Sequence, residues 1–131
     1  MKKQELKQRT KHFALRVVKL VEALPNTVVG RAIGQQLVRA GTSVGANYRA
    51  ACRGRSRAEF IDKLGIVEEE ADERAFWLEI IMENGLLNKE IVKSLHQEAE
   101  ELTAIMAASR ISAARNKFRA LYEEPKTEHF F

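Results

Sequence analysis

Apolar positions along this chain recur at spacings of three and four. Phe13, Val17, Leu20 and Leu24, with Leu6 one heptad earlier, share one face of a helix. The pattern predicts that helix over about residues 4–24. Pro25 ends it, because the residue before a proline avoids the α region. A second helix starts after Asn26 or Thr27, either of which can cap free amides. Ile33, Leu37, Val44 and Tyr48 form its inner face, and Gly30, Gly34, Gly41 and Gly45 run beside that face. Each glycine lowers helix stability by about 0.8–1 kcal/mol relative to alanine. Four of them in register point to a close approach of two helix backbones. Tyr48 on the Leu37 face reads as core rather than as a base-stacking residue.

The stretch "CRGRSRAEF" reads as one helix end and the next helix start. Gly54 is placed as a left-handed terminator, and Ser56 with Glu59 forms a capping box. Arg53, Arg55 and Arg57 surround that turn. A third helix is predicted over about residues 57–84, with Phe60, Leu64, Val67, Ala71, Ala75 and Leu78 as its core stripe. Ile66, Phe76, Trp77 and Ile80 lie away from that stripe, interleaved with Glu59, Glu70 and Glu73. Two apolar faces on one helix ask for a second partner. Ile66, Glu70, Glu73, Phe76, Trp77 and Ile80 are therefore the candidate oligomer interface. Gly85 ends this helix and Asn88 caps a fourth, with Ile91, Leu95, Ala99, Leu102, Ile105, Met106 and Ser109 as its stripe. Short connections between four helices imply antiparallel neighbours. The fold class is all-α: an up-down-up-down four-helix bundle over residues 1–122, followed by a flexible tail over 123–131 and expected to form a ring-shaped oligomer.

Charge changes this picture. Residues 1–57 carry 13 Lys/Arg against Glu5 and Glu22, a net +11. Residues 58–104 carry 4 basic and 13 acidic side chains, a net −9, and the remainder adds +2. The halves can neutralise each other within or between bundles, or the basic half can face a polyanion. Arg31, Arg39, Arg49 and Arg53 lie on the side of the second helix opposite Leu37 and Val44. With Arg55 and Arg57 they form the candidate nucleic-acid-binding surface, suited to phosphate contacts.

Other chemistry finds little support. A di-metal carboxylate bundle needs Glu-x-x-His pairs, but Lys93, Arg9 and Lys126 precede His96, His12 and His129 by three. No metal site and no cofactor are expected. The Gly-x-Ser-x-Gly spacing of Gly41, Ser43 and Gly45 lies inside the predicted second helix, not at the strand-to-helix turn that a nucleophile elbow needs, and Cys52 is the sole cysteine. No catalytic residue is assigned and no enzyme is expected. No apolar run of membrane-spanning length and no secretory leader are found, so a cytoplasmic protein with no membrane partner is expected.

The segments "SVGANYRAA", "SRAEFIDKL", "EEADE" and "FWLE" carry a resemblance. Over roughly residues 10–115 the chain resembles the four-helix-bundle proteins named for intervening sequences of large-subunit (23S) rRNA genes. The resemblance implies a bacterial, cytoplasmic, non-catalytic bundle that forms ring-like homopentamers with a central channel. A related branch, the accessory variability proteins of diversity-generating retroelements, binds a reverse transcriptase and nucleic acid. The family's frequent Asn-Ile-Ala-Glu-Gly is Asn47-Tyr48-Arg49-Ala50-Ala51 here, so no role is carried over for its carboxylate. Two functions follow: an oligomer that binds RNA or DNA through basic residues, or an interaction scaffold such as an accessory subunit of a reverse transcriptase.

Overall fold

A computed structural model describes the backbone of residues 2–122 and the side chains through Asn116. The tail predicted over 123–131 lies outside the described residues. The helices are α1 (Lys3–Glu22), α2 (Val28–Cys52), α3 (Arg57–Glu83) and α4 (Lys89–Tyr122). They form the antiparallel bundle, with α3 packed extensively on α2 and α4, α1 on α2, and α1 and α4 meeting least.

Local chemistry sets the helix ends. The Thr27 hydroxyl accepts from the Gly30 amide at 3.0 Å and so caps α2. Ser56 accepts from the Glu59 amide at 3.1 Å, while the Glu59 carboxylate reaches back to the Arg55 amide at 3.2 Å. The return bond of this capping box thus lands one residue earlier than the usual motif places it. Asn88 accepts from the Glu90 amide at 2.8 Å at the start of α4. At the end of α3, Gly85 has φ +70, and the amides of Gly85 and Leu86 donate to the carbonyls of Met82 and Ile81. This is a Schellman end. Gly54 does not adopt the left-handed conformation expected of it, since Gly85 alone has positive φ among the described residues. A Cβ at Gly54 would stand 3.0 Å from the Ala51 carbonyl oxygen, so space rather than dihedral angle favours glycine there.

The core is one cluster through all four helices, from Phe13, Val17 and Leu37 to Leu64, Leu78, Leu102 and Met106. Gly34, Gly41 and Gly45 bring α2 against α1 as the pattern predicted, whereas a Cβ at Gly30 would meet the Pro25 carbonyl of the connection. A Cβ at Gly41 would lie 2.7 Å from a Val17 methyl, and one at Gly34 would lie 3.1 Å from Val21. Tyr48 is buried, and its phenol is pushed up by desolvation, with a hydrogen bond to Cys52 adding to the shift. One register prediction fails. Val92 is fully buried at the start of α4, whereas Ile91 is 62% exposed. Val92, Leu95 and Ala99 keep the three-four spacing, and adjacent residues of a helix stand about 100° apart, so only one of the two can face inward.

Candidate functional site

The arginines of α2 project from its outer side. Arg31, Arg39, Arg49 and Arg53 are all exposed. Helical geometry spreads them within about 80° of arc and along about 33 Å of axis. Arg31 donates to the Asn26 side chain at 2.9 Å, and Arg39 donates to Gln36 at 2.8 Å. Arg55 continues the row into the turn as an exposed residue, whereas Arg57, the first residue of α3, is half-buried. Among the described residues, no carboxylate pairs with Arg31, Arg39, Arg49, Arg53 or Arg55. Beside the Arg31–Arg39 half of the row lies an apolar hollow of about 490 Å³, floored by Val21, Leu24 and Gly34.

The acidic segment takes its partners elsewhere. Of the arrangements that the charge split allows, pairing of the acidic segment with the basic half within the chain is seen at Arg9. Arg9 donates to Glu98 at 2.6 and 2.8 Å and to Glu101 at 2.6 Å, pinning α1 to α4. Those bonds raise the Arg9 guanidinium and hold Glu98 below the usual carboxylate range. Glu68 accepts from Arg110 at 2.8 Å, so this α3 charge is balanced from α4.

The proposed interface residues divide. Ile66 and Phe76 are 40% and 52% exposed. Trp77 and Ile80 instead pack partly against the chain's own core. Trp77 donates to Glu73 at 3.4 Å and meets Phe76 edge-on with ring centroids 5.2 Å apart. Glu70 turns inward. Its carboxylate accepts from Arg74 at 3.2 Å and lies 2.8 Å from the Ser43 hydroxyl on α2. The same hydroxyl lies 2.8 Å from the Ala40 carbonyl, so its single proton serves one acceptor at a time.

Arg74 is a buried residue that the stripe of apolar positions left out. Its side chain is fully buried. It donates to the Glu70 backbone carbonyl at 2.6 Å and stands 3.7 Å from Glu73, while its Nε has no hydrogen-bond partner. Burial pushes the guanidinium down to about 10, against the pull of Glu70 and Glu73 and aided by the nearby charge of Arg39. Ser43 at the α2–α3 seam was the available signal, a small polar residue facing the acidic helix.

Grooves flank α4 on both sides. Between α1 and α4 an apolar groove of about 560 Å³ is floored by Leu15, Leu20, Ile91 and Leu95 and rimmed by His12, Arg16 and Lys19. Between α3 and α4, Phe76 stands beside Asp72, Glu79 and Glu100 in a groove of about 500 Å³. His96 sits in the latter, 3.4 Å from Glu79 and 3.0 Å from Glu100. Among the described residues, no group of three or more His, Cys, Asp or Glu side chains is arranged to hold a metal ion. No described helix is long and apolar enough to cross a membrane.

Residues 2–108 match the model of the 23S rRNA-intervening sequence protein family. The chain belongs to that family. A crystal structure at 1.70 Å resolution shares its fold. That protein, from Bacteroides thetaiotaomicron VPI-5482, is described as of unknown function and from the S23 ribosomal protein family. The two are 34% identical with a TM-score of 0.73, over 78% of this chain and 94% of that one. No curated protein matches the chain. In this 23S rRNA-intervening sequence family member, the matched span contains the whole arginine row and both grooves' central residues.

Proposed function

We propose that this family member is a non-catalytic, self-assembling bundle of the cytoplasm that binds RNA, or DNA through the same backbone chemistry, by way of α2. The observation that carries this reading is the exposed row Arg31, Arg39, Arg49 and Arg53, continued by Arg55, without carboxylate partners among the described residues. Surface cations left unneutralised within a chain are available to a polyanion. Membership in a family named for rRNA intervening sequences supports RNA as that polyanion. The buried position of Tyr48 removes the one aromatic near the row from base stacking. Recognition is therefore of phosphates, with little dependence on base sequence. Arg57, half-buried, plays at most an edge role. Assembly into a closed ring, five copies by resemblance, multiplies the row around the particle.

The test is RNA binding across a salt series. Each phosphate contact adds about 0.7–0.9 to the log–log slope of affinity against salt. Replacing Arg49 and Arg53 together with glutamine should lower that slope by about 1.4–1.8 while the oligomeric mass stays unchanged. An unaltered slope on an intact oligomer would remove these residues from nucleic-acid binding. Loss of the oligomer with unchanged affinity per protomer would place them between subunits instead. The second reading, docking of an acidic protein such as a reverse transcriptase, rests on resemblance alone; a row that binds such a protein but not RNA would favour it.

A further inference from the structure

The α3–α4 and α1–α4 surfaces are complementary, and we propose that the Phe76 patch of one copy seats in the α1–α4 groove of a second copy of this chain. The observations behind this are independent of the arginine row. Phe76 is a large apolar side chain held outward on α3, steadied edge-on by Trp77. The charged side chains that share its groove are Asp72, Glu79 and Glu100, with His96 between the last two. The α1–α4 groove has the reverse character: an apolar floor that leaves Leu15 55% and Ile91 62% exposed, a rim of Arg16 and Lys19, and no carboxylate in its lining. An aromatic anchor with an acidic surround thus faces an apolar hole with a cationic rim. That arrangement gives a desolvated centre and a charged, orienting periphery. Because the two patches differ, the contact is head-to-tail, and such contacts generate rings or filaments.

The positions of the patches favour a ring. Two neighbouring faces of a four-helix bundle have outward normals about 90° apart. A ring of n copies needs contact faces whose normals differ by 180° less the rotation per copy, about 90° for four and about 108° for five. The patches also lie near one level. Glu79 meets His96 across antiparallel helices, so Phe76 is level with α4 about three residues beyond His96. The groove centres near Ile91 to Leu95, within about 9 Å along the axis. In such a ring α4 faces the central axis, and α2, diagonal to it, carries its arginines on the outer wall.

This inference rests on the reading of the chain as self-assembling, and the experiment separates the two. Native mass spectrometry and light scattering are applied to the full chain, to Phe76→Lys and to Ile91→Glu, with circular dichroism melts to verify folding. Both positions are exposed, and Leu15→Glu is a second groove variant should Ile91→Glu unfold. Loss of an anchor from a desolvated pocket weakens association about 30-fold or more. Each variant alone should therefore be monomeric at micromolar concentration. Mixed together they should form a one-to-one heterodimer, because the intact knob of Ile91→Glu fits the intact groove of Phe76→Lys and no further contact remains. A wild-type oligomer that either folded variant leaves intact, or a mixture that stays monomeric, would overturn this pairing while leaving self-assembly standing. A monomeric wild-type chain would overturn self-assembly itself.

Discussion

Deleting the carboxylate of Glu70 should destabilise the fold by about 3–5 kcal/mol, because it strands a buried charge. The Arg74 side chain that Glu70 pairs with is 0% exposed. It keeps the backbone carbonyl of residue 70 at 2.6 Å and has Glu73 at 3.7 Å. The Glu70 side chain is itself 29% exposed, so water and Glu73 can assume part of its role. The effect then falls at the low end, about 3 kcal/mol, and lowers Tm by about 10–15 °C for a domain of this size. Arg74→Met tests the other side of the pair. It keeps the volume and removes the buried charge, and because the remaining Glu70 carboxylate is 29% exposed and lies 2.8 Å from the Ser43 hydroxyl, it should cost about 1 kcal/mol or less. The depressed guanidinium points the same way. Burial holds it at about 10, so from there up to the ordinary arginine range the unfolded chain binds this proton more tightly than the fold. The charged form opposes folding throughout lower pH, and that opposition is relieved as pH rises through about 10. The double variant should return to within about 1 kcal/mol of Arg74→Met, since no charge is left to strand. Urea midpoints with their slopes, taken at several protein concentrations to separate assembly from folding, measure all four chains. An Arg74→Met chain as unstable as Glu70→Ala, or a loss below about 1 kcal/mol in Glu70→Ala, would refute this account.

Gly41→Ala should lower stability by about 1–3 kcal/mol despite the better helix propensity of alanine, because its methyl would meet Val17 at 2.7 Å. A rise in the denaturation midpoint would show that α1 and α2 separate freely. Glu98→Gln should be about 1–2 kcal/mol less stable than the parent at neutral pH. Hydrogen bonds from Arg9 depress Glu98, so its contribution is fully present above the ordinary glutamate range and is lost as pH falls through the lower folded value. The two melting curves should converge in acid, and a gap that persists there would assign the effect to packing.

Helix ends were legible because their causes are local. Thr27, Ser56, Asn88 and Gly85 act on amides and carbonyls within a few residues, and each does so in the fold. The glycine row of α2 was legible too, because four helix-weakening residues on one side have few uses besides close packing, and Gly34 and Gly41 meet α1 there. The exposure of Arg31, Arg39, Arg49 and Arg53 followed from their opposition to Leu37 and Val44. What tertiary structure decided is which polar side chain each neighbour encloses. Arg74 stands three residues after Ala71 and four before Leu78, on the core stripe by spacing, but its charge reads as solvent-facing. It is buried because α3 packs on both α2 and α4, and Glu70 then turns inward to meet it. The choice between Ile91 and Val92 belongs to the same class: both fit a helical stripe, and a rotation of about 100° separates them. Because α1 and α4 meet least, Val92 fills the core and Ile91 is left on the floor of an open groove. Periodicity specifies a face of a helix, whereas the distance to the helix opposite determines whether that face is covered.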